Sequence, residues 1–380
     1  MPTKNQEPET KNRFSNRAQW NAPTNRLTLE RDALRARGSE LLDLTESNPT
    51  RAGLPYPLDE ISAALAHGAR ASYDPDPLGI RSAREALAAH LGCHPDDLVI
   101  TASTSEAYSF LFKLLTDPGD TILTATPSYP LLEHLAALEL VQLRTFPLEL
   151  HRRWELHDVP VDASTRAIMV VNPNNPTGSF VTPAEQDRLA VLGVPLISDE
   201  VFLDYGLDAT GTTFVREDTL TFTLGGLSKA AGLPHLKLGW IRVSGPRKRE
   251  AIAALELIAD NFLSVSTPVQ VALPTLLQLA PRIRAFITAR TRANLDHLRE
   301  TFAQTPAVQV LPVEGGWSAV LRVPRTRSDE ELALALLAQG VVVHPGYFFD
   351  FATEGYVVVS LLPPEPIFAA GVARIRAELA

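Results

Sequence analysis

An α/β fold with a mainly parallel sheet, followed by a smaller α+β domain, is the architecture this sequence predicts. Three observations lead there. Short apolar runs alternate with segments of helical period, the pattern of βαβ units. Small polar motifs follow the ends of those runs, where open parallel sheets bind ligands. The chain has 380 residues, more than one ordinary core holds, so two domains are expected.

The elements follow in order. Residues 1–12 are polar and predict a disordered tail. Residues 13–57 read as an irregular arm with one helix near 27–37. Residues 97–101 form a strand ending in Ser103-Thr104-Ser105, and a helix follows over 106–115. Residues 121–125 are a second strand, then Pro127-Ser128-Tyr129-Pro130 and a helix to about 138. Residues 167–171 are β-branched and close on Asn172-Pro173-Asn174-Asn175-Pro176-Thr177-Gly178. Thr182-Pro183-Ala184-Glu185 starts a helix, with Thr as cap, Pro at N1 and Glu at N3. Strands over 194–198, 219–224 and 238–243 come next, the first ending at Asp199-Glu200 and the second at Gly225-Gly226. One long helical region covers 248–302. The remainder, about 305–380, mixes helices with strands at 308–311, 318–323, 341–344 and 356–361.

Composition narrows the function. Hydrophobic residues make up 45% and charged residues 21%, as in an ordinary soluble globular protein. The net charge of −9 disfavours nucleic-acid and membrane-surface partners, which need clustered cations. No apolar run reaches the length of a spanning helix, and residues 1–13 lack an apolar signal core. Cys93 is the one cysteine, so no internal disulfide can form. A cytoplasmic enzyme is the expectation.

Several residues carry candidate chemistry, each with a plainer reading beside it. Lysine occurs only at 4, 11, 113, 229, 237 and 248. Lys229 sits after a strand in Gly225-Gly226-Leu227-Ser228-Lys229-Ala230-Ala231-Gly232. It reads as a solvated loop lysine or as an amine that forms imines with carbonyl groups, including pyridoxal phosphate. Asp199, at a buried strand end, is a helix cap or the partner of a protonated ring nitrogen. Asn175 is a turn residue or an amide donor to a phenolic oxygen. Ser103, Thr104 and Ser105 cap a helix or hold a phosphate. Tyr129 is a core aromatic or stacks on a flat ring.

Asn175-Pro176-Thr177-Gly178, then Asp199, Ser228-Lys229 and Gly239-Trp240 resemble the fold-type I pyridoxal-phosphate enzymes, the class I/II aminotransferases. The match in order and spacing covers about 45–380. The resemblance implies a seven-stranded type of sheet flanked by helices, the PLP-dependent transferase fold. It divides the chain into a tail (1–12), an arm belonging to the small domain (13–57), a large cofactor domain (58–280) and the rest of the small domain (281–380). It implies an aminotransferase that moves an amino group between an amino acid and a 2-oxo acid through a Schiff base of pyridoxal 5′-phosphate on Lys229. Asp199 would pair with the pyridine nitrogen, Asn175 with the phenolic oxygen, and Tyr129 would stack on the ring. Ser103, Thr104, Ser105 and Lys237 would hold the phosphate. A homodimer with shared sites is implied, Tyr73 reaching the neighbouring subunit's phosphate.

Four positions depart from the family's commonest pattern. Phe202 stands where a tyrosine is usual, Gly226 where a phosphate-binding serine is usual, and Lys237 where an arginine is usual. Val358 occupies the place of the arginine that clamps the substrate carboxylate. Arg51, after Glu46-Ser47-Asn48-Pro49-Thr50, is the candidate replacement, with Asn48 and Asn175 also expected at the substrate. The missing clamp keeps a pyridoxal-dependent lyase or cyclase open as a second reading. A non-catalytic regulator is the distant third, disfavoured by the acidic charge and the few residues before the scaffold.

Overall fold

The computed structural model describes residues 15, 17 and 23–379, so the expected tail over 1–12 lies outside the described residues. The arm holds α1 (Arg26–Ala36), capped by Asn25 through the Thr28 N–H, and the two-residue strand β1 (Leu42–Asp43). Helices α2 (Leu58–Gly68) and α3 (Arg81–Leu91) precede the main sheet.

That sheet comprises β2 (Leu98–Thr101), β3 (Thr121–Thr126), β4 (Gln142–Leu150), β5 (Trp154–Leu156), β6 (Thr165–Val171), β7 (Leu196–Asp199), β8 (Thr221–Gly226) and β9 (Gly239–Ser244). Their order is β2-β9-β8-β7-β6-β3-β4-β5. The pairs β3–β4, β3–β6, β6–β7 and β7–β8 are parallel, whereas β9 runs antiparallel to both neighbours. The sheet thus carries an eighth strand, β5, hairpinned onto β4 at one edge. β6, β7 and β8 are almost wholly buried, as strands covered on both faces must be.

Helices α4 (Thr104–Leu115), α5 (Leu131–Leu138) and α6 (Pro183–Ala190) connect these strands, and α7 (Leu227–Ala230) is one turn after β8. The predicted capping box on α6 forms, with Thr182 and Glu185 satisfying each other's backbone N–H. The predicted single helix over 248–302 is two, α8 (Lys248–Asp260) and α9 (Thr267–Phe302). Leu263 between them takes a positive φ of 45°, and Ser266 with Pro268 restarts the helix. α9 is 36 residues long, about 54 Å. Its first half packs on the large sheet through Leu273, Leu276 and Ile283, and its second half on the C-terminal core through Leu295, Leu298 and Phe302.

The C-terminal part has β10 (Gln309–Val310), β11 (Ser318–Arg322), α10 (Asp329–Ala338), β12 (Val341–Val342), β13 (His344–Pro345), β14 (Tyr356–Ser360) and α11 (Glu365–Leu379). The strand predicted over 341–344 divides between sheets: β12 pairs with β1, and β13 with β14. Leu44 from the arm lies in the same core as Val357, Val359 and Phe368, so the arm packs with the C-terminal elements. Among the described residues, no helix is long and apolar enough to cross a membrane.

Candidate active site

Lys229 lies on the one-turn helix at the end of β8. Tyr205 donates to its carbonyl at 2.6 Å, fixing the turn. Its side chain is half-buried, and Nζ lies 4.8 Å from the Trp317 ring centroid and 5.6 Å from that of Phe202. Burial lowers its pKa to about 8, against the opposing pull of the Asp199 and Glu46 charges. An amine with that value is partly neutral near pH 7 and can act as nucleophile or base. Nζ also donates weakly to the Ser47 carbonyl at 3.5 Å, which brings the 46–51 segment of the arm to the lysine.

Asp199 is buried at the end of β7, the strand beside β8. One oxygen accepts the Val201 N–H at 3.0 Å, a local turn cap. The other accepts the Tyr108 hydroxyl at 2.5 Å. Burial pushes the Asp199 pKa up, and the Tyr108 and Val201 hydrogen bonds and the Lys229 charge pull it back. Asp199 thus carries a local turn cap on one oxygen and the Tyr108 hydrogen bond on the other. A carboxylate has about four acceptor positions, and two remain for a further donor.

The loop after β6 contains three asparagines with different fates. Asn172 bonds to the Thr212 carbonyl and the Val181 N–H. Asn174 donates to the Pro127 carbonyl and Thr177. Asn175 is half-buried, and its amide has no hydrogen bond among the described residues. The structure thus singles out the one asparagine whose amide is available. Gly178 has φ 72°, and a Cβ there would meet the Gly315 carbonyl at 2.5 Å, so only glycine closes this loop.

At the start of α4, Ser103 is the cap, accepting the Glu106 N–H at 3.2 Å. The Thr104 and Ser105 hydroxyls are half-buried without partners among the described residues. Gly239 lies against this turn; a Cβ on it would sit 2.9 Å from the Ser103 carbonyl carbon and 3.1 Å from the Gly225 oxygen. Lys237 is exposed in the left-handed region at φ 49° and has no partner among the described residues. Tyr129 is half-buried, its pKa raised by burial and then by the Asp199 charge.

Other predicted residues stand apart. Tyr73 is 72% exposed, and its hydroxyl has no hydrogen-bond partner among the described residues. Arg51 ends a single 3₁₀ turn, Pro49–Arg51, exposed and without a partner among the described residues. Asn48 spends its oxygen on the Thr50 N–H and hydroxyl. Val358 is buried in an apolar cluster with Leu148, Val170 and Phe349. Sequence reasoning missed Tyr108 and Trp317. Trp317 is buried, and its indole N–H has no partner among the described residues.

The model for aminotransferase class I and II matches residues 39–366. The chain belongs to that family. Enzymes of this family transfer amino groups with pyridoxal 5′-phosphate, so the cofactor and enzyme class expected from the motifs are those of the family. Nicotianamine aminotransferase 1 of Oryza sativa is 32% identical over 244 residues, 58% of this chain and 49% of that protein. The chain thus spans about half the length of that relative. Glutamate-pyruvate aminotransferase AlaA of Haemophilus influenzae is 27% identical over 364 residues, 88% of this chain and 90% of that one. A crystal structure of an aminotransferase from Escherichia coli superposes with a TM-score of 0.87 at 23% identity, covering 97% and 98% of the two chains, and shares the fold.

The residues of this site fit the family's cofactor. Asp199 has open acceptor positions for a ring N–H, Asn175 has a free amide, and the first turn of α4 has free hydroxyls. Phe202 offers no hydroxyl to a phenolic oxygen.

Proposed function

We propose that this protein is an aminotransferase that moves an amino group between an amino acid and a 2-oxo acid, with pyridoxal 5′-phosphate held on Lys229. The observation that carries the reading is the depressed pKa of Lys229, about 8, beside a buried Asp199 on the neighbouring strand. When bound, the cofactor supplies an electron sink that lets a proton leave the substrate Cα. Lys229 Nζ takes and returns that proton, because it can be neutral near pH 7. Asp199 keeps a proton on the ring nitrogen, and Tyr108 keeps Asp199 ionised. Asn175 donates to the phenolic oxygen, and Tyr129 stacks on the ring face. Ser103, Thr104, Ser105 and Lys237 hold the phosphate, Lys237 as a point charge and not a two-pronged donor. Arg51 and Asn48 face the substrate carboxylate, since the arm reaches Lys229 at Ser47.

The exposed, unpartnered Tyr73 supports a homodimer in which it completes the partner's phosphate site. A single, half-buried cysteine accords with a reducing, cytoplasmic setting.

Borohydride reduction of the purified yellow protein, then peptide mass mapping, is expected to place the cofactor on Lys229. Label on another lysine overturns the assignment. A screen of amino donors should consume 2-oxo acid stoichiometrically. Release of pyruvate or ammonia with no acceptor would instead identify a lyase.

A further inference from the structure

The hairpin of β4 and β5, at the outer edge of the main sheet, carries a cluster that amino transfer does not use. Its register sets Leu148 opposite Leu156, Glu149 opposite Glu155 and Leu150 opposite Trp154. Leu148, Trp154 and Leu156 are buried in the core, so Glu149 and Glu155 share the other face. Two carboxylates directly opposed across strands repel each other. His151 lies one residue past the end of β4 and His157 one residue past the end of β5, and both rings turn toward these carboxylates. The rings lie edge to face with centroids 5.4 Å apart.

Distances between the candidate donor atoms are informative. His151 Nε2 lies 3.4 Å from Glu149 Oε2, His157 Nε2 lies 3.9 Å from the same oxygen, and His157 Nε2 lies 3.8 Å from Glu155 Oε2. The Glu149, His151 and His157 donor atoms all fall within 4.8 Å of one another. A good N–H···O hydrogen bond is about 2.7–3.2 Å. The edge of a tetrahedron with metal–ligand bonds of about 2.0–2.1 Å is about 3.3–3.4 Å. The observed separations are too long for the first and open only slightly on the second. Arg153, in the hairpin loop, is the competing cation. Its contact with Glu155 is 3.7 Å, and its closer one, 2.9 Å, goes to Glu185.

We propose that Glu149, His151 and His157, with Glu155 as fourth ligand, form a surface site for a divalent late transition cation, Zn²⁺ foremost. Imidazole nitrogen selects zinc, nickel and copper over magnesium and calcium, which prefer oxygen alone. The ion neutralises the opposed carboxylates and staples β5, three residues long, to the end of β4. Arg153, in the loop between them, bonds the Phe180 carbonyl at 3.2 Å, so the stapled hairpin is tied to the loop before α6.

Calorimetric titration of the full-length holoenzyme with ZnCl₂ tests the site. One Zn²⁺ per chain is expected, weakened at least about tenfold in His151→Ala and in His157→Ala, as loss of a ligand requires. MgCl₂ in the same experiment is expected to give no competing isotherm. All four side chains are exposed or half-buried and lie outside the proposed active site, so amino-transfer activity reports that the variants are folded. Equal zinc affinity in wild type and the His151→Ala/His157→Ala double variant overturns the proposal. So does absence of zinc binding in wild type, or equal binding of magnesium.

Discussion

The two ends of the proposed site are built by opposite means. At the ring-nitrogen end, Asp199 is buried, its two oxygens hold bonds from Tyr108 and Val201, and the strands on either side are almost wholly buried. At the substrate end, the clamp position is filled by buried Val358, and the candidate cation, Arg51, is exposed and unpartnered among the described residues. The difference is instructive. On the proposed function, the residue that would meet the ring nitrogen is held by preorganised buried hydrogen bonds, which cost no reorganisation during a reaction. On the same proposal, substrate selection would fall to short arm segments that can change without disturbing the sheet.

The largest expected effect lies at the nitrogen end. Asp199→Ala should lower kcat by roughly 10²–10³, the usual cost of a preorganised electrostatic partner. It should also move Lys229. Asp199's charge raises the lysine pKa, and burial lowers it to about 8. Without Asp199 the lysine should titrate below about 8, read from the pH dependence of reductive labelling of the apo-protein with pyridoxal phosphate. Wild-type turnover in Asp199→Ala would reduce the residue to the turn cap seen on its other oxygen.

That end was also the more legible one in the sequence. Lys229, Asp199 and Asn175 each follow a strand, and strand ends are marked by β-branched runs closing on glycine, proline or acid. Sequence could not separate Asn175 from Asn172 and Asn174 on bonding, because their partners, Thr212, Val181 and Pro127, are distant in the chain. Tyr108 was hidden for a similar reason. It sits among Ala107, Leu111 and Phe112 on the buried stripe of α4, where a tyrosine reads as core. Only the fold shows that its hydroxyl meets Asp199, 91 positions away. β4 escaped notice because Pro147 interrupts it and its residues are alternately exposed. The break after α8 depends on a positive φ at Leu263, which no local rule assigns to leucine.

The comparison sharpens at the substrate end with Arg51→Ala. A charge-assisted bond to a carboxylate is worth about 1.5–3 kcal/mol, so KM for the amino donor should rise roughly 10- to 100-fold. Cofactor affinity should stay unchanged, since Arg51 lies on the arm and has no hydrogen bond or ion pair to the proposed cofactor residues among the described residues. Arg51→Lys should recover part of the loss, because a point charge replaces a fork. An unchanged KM in steady-state assays would mean that the substrate carboxylate is held elsewhere or is absent.

The smallest effect, and the finest test of the nitrogen end, is Tyr108→Phe. The ring remains, stacked on Phe112 with centroids 6.1 Å apart, so packing is kept and only the hydroxyl goes. Asp199 then loses the largest influence that lowers its pKa, while the burial that raises it stays. Its carboxyl should therefore protonate at higher pH than in the wild type. The acidic limb of the kcat/KM profile should therefore move to higher pH. Near neutral pH, kcat should fall by roughly tenfold or less with KM for the donor unchanged, because Tyr108 acts through Asp199 and not on the substrate. A purely structural role predicts something different: a lower melting temperature and a uniform loss of activity at every pH. The position of the acidic limb, measured on protein whose melting temperature matches wild type, separates the two.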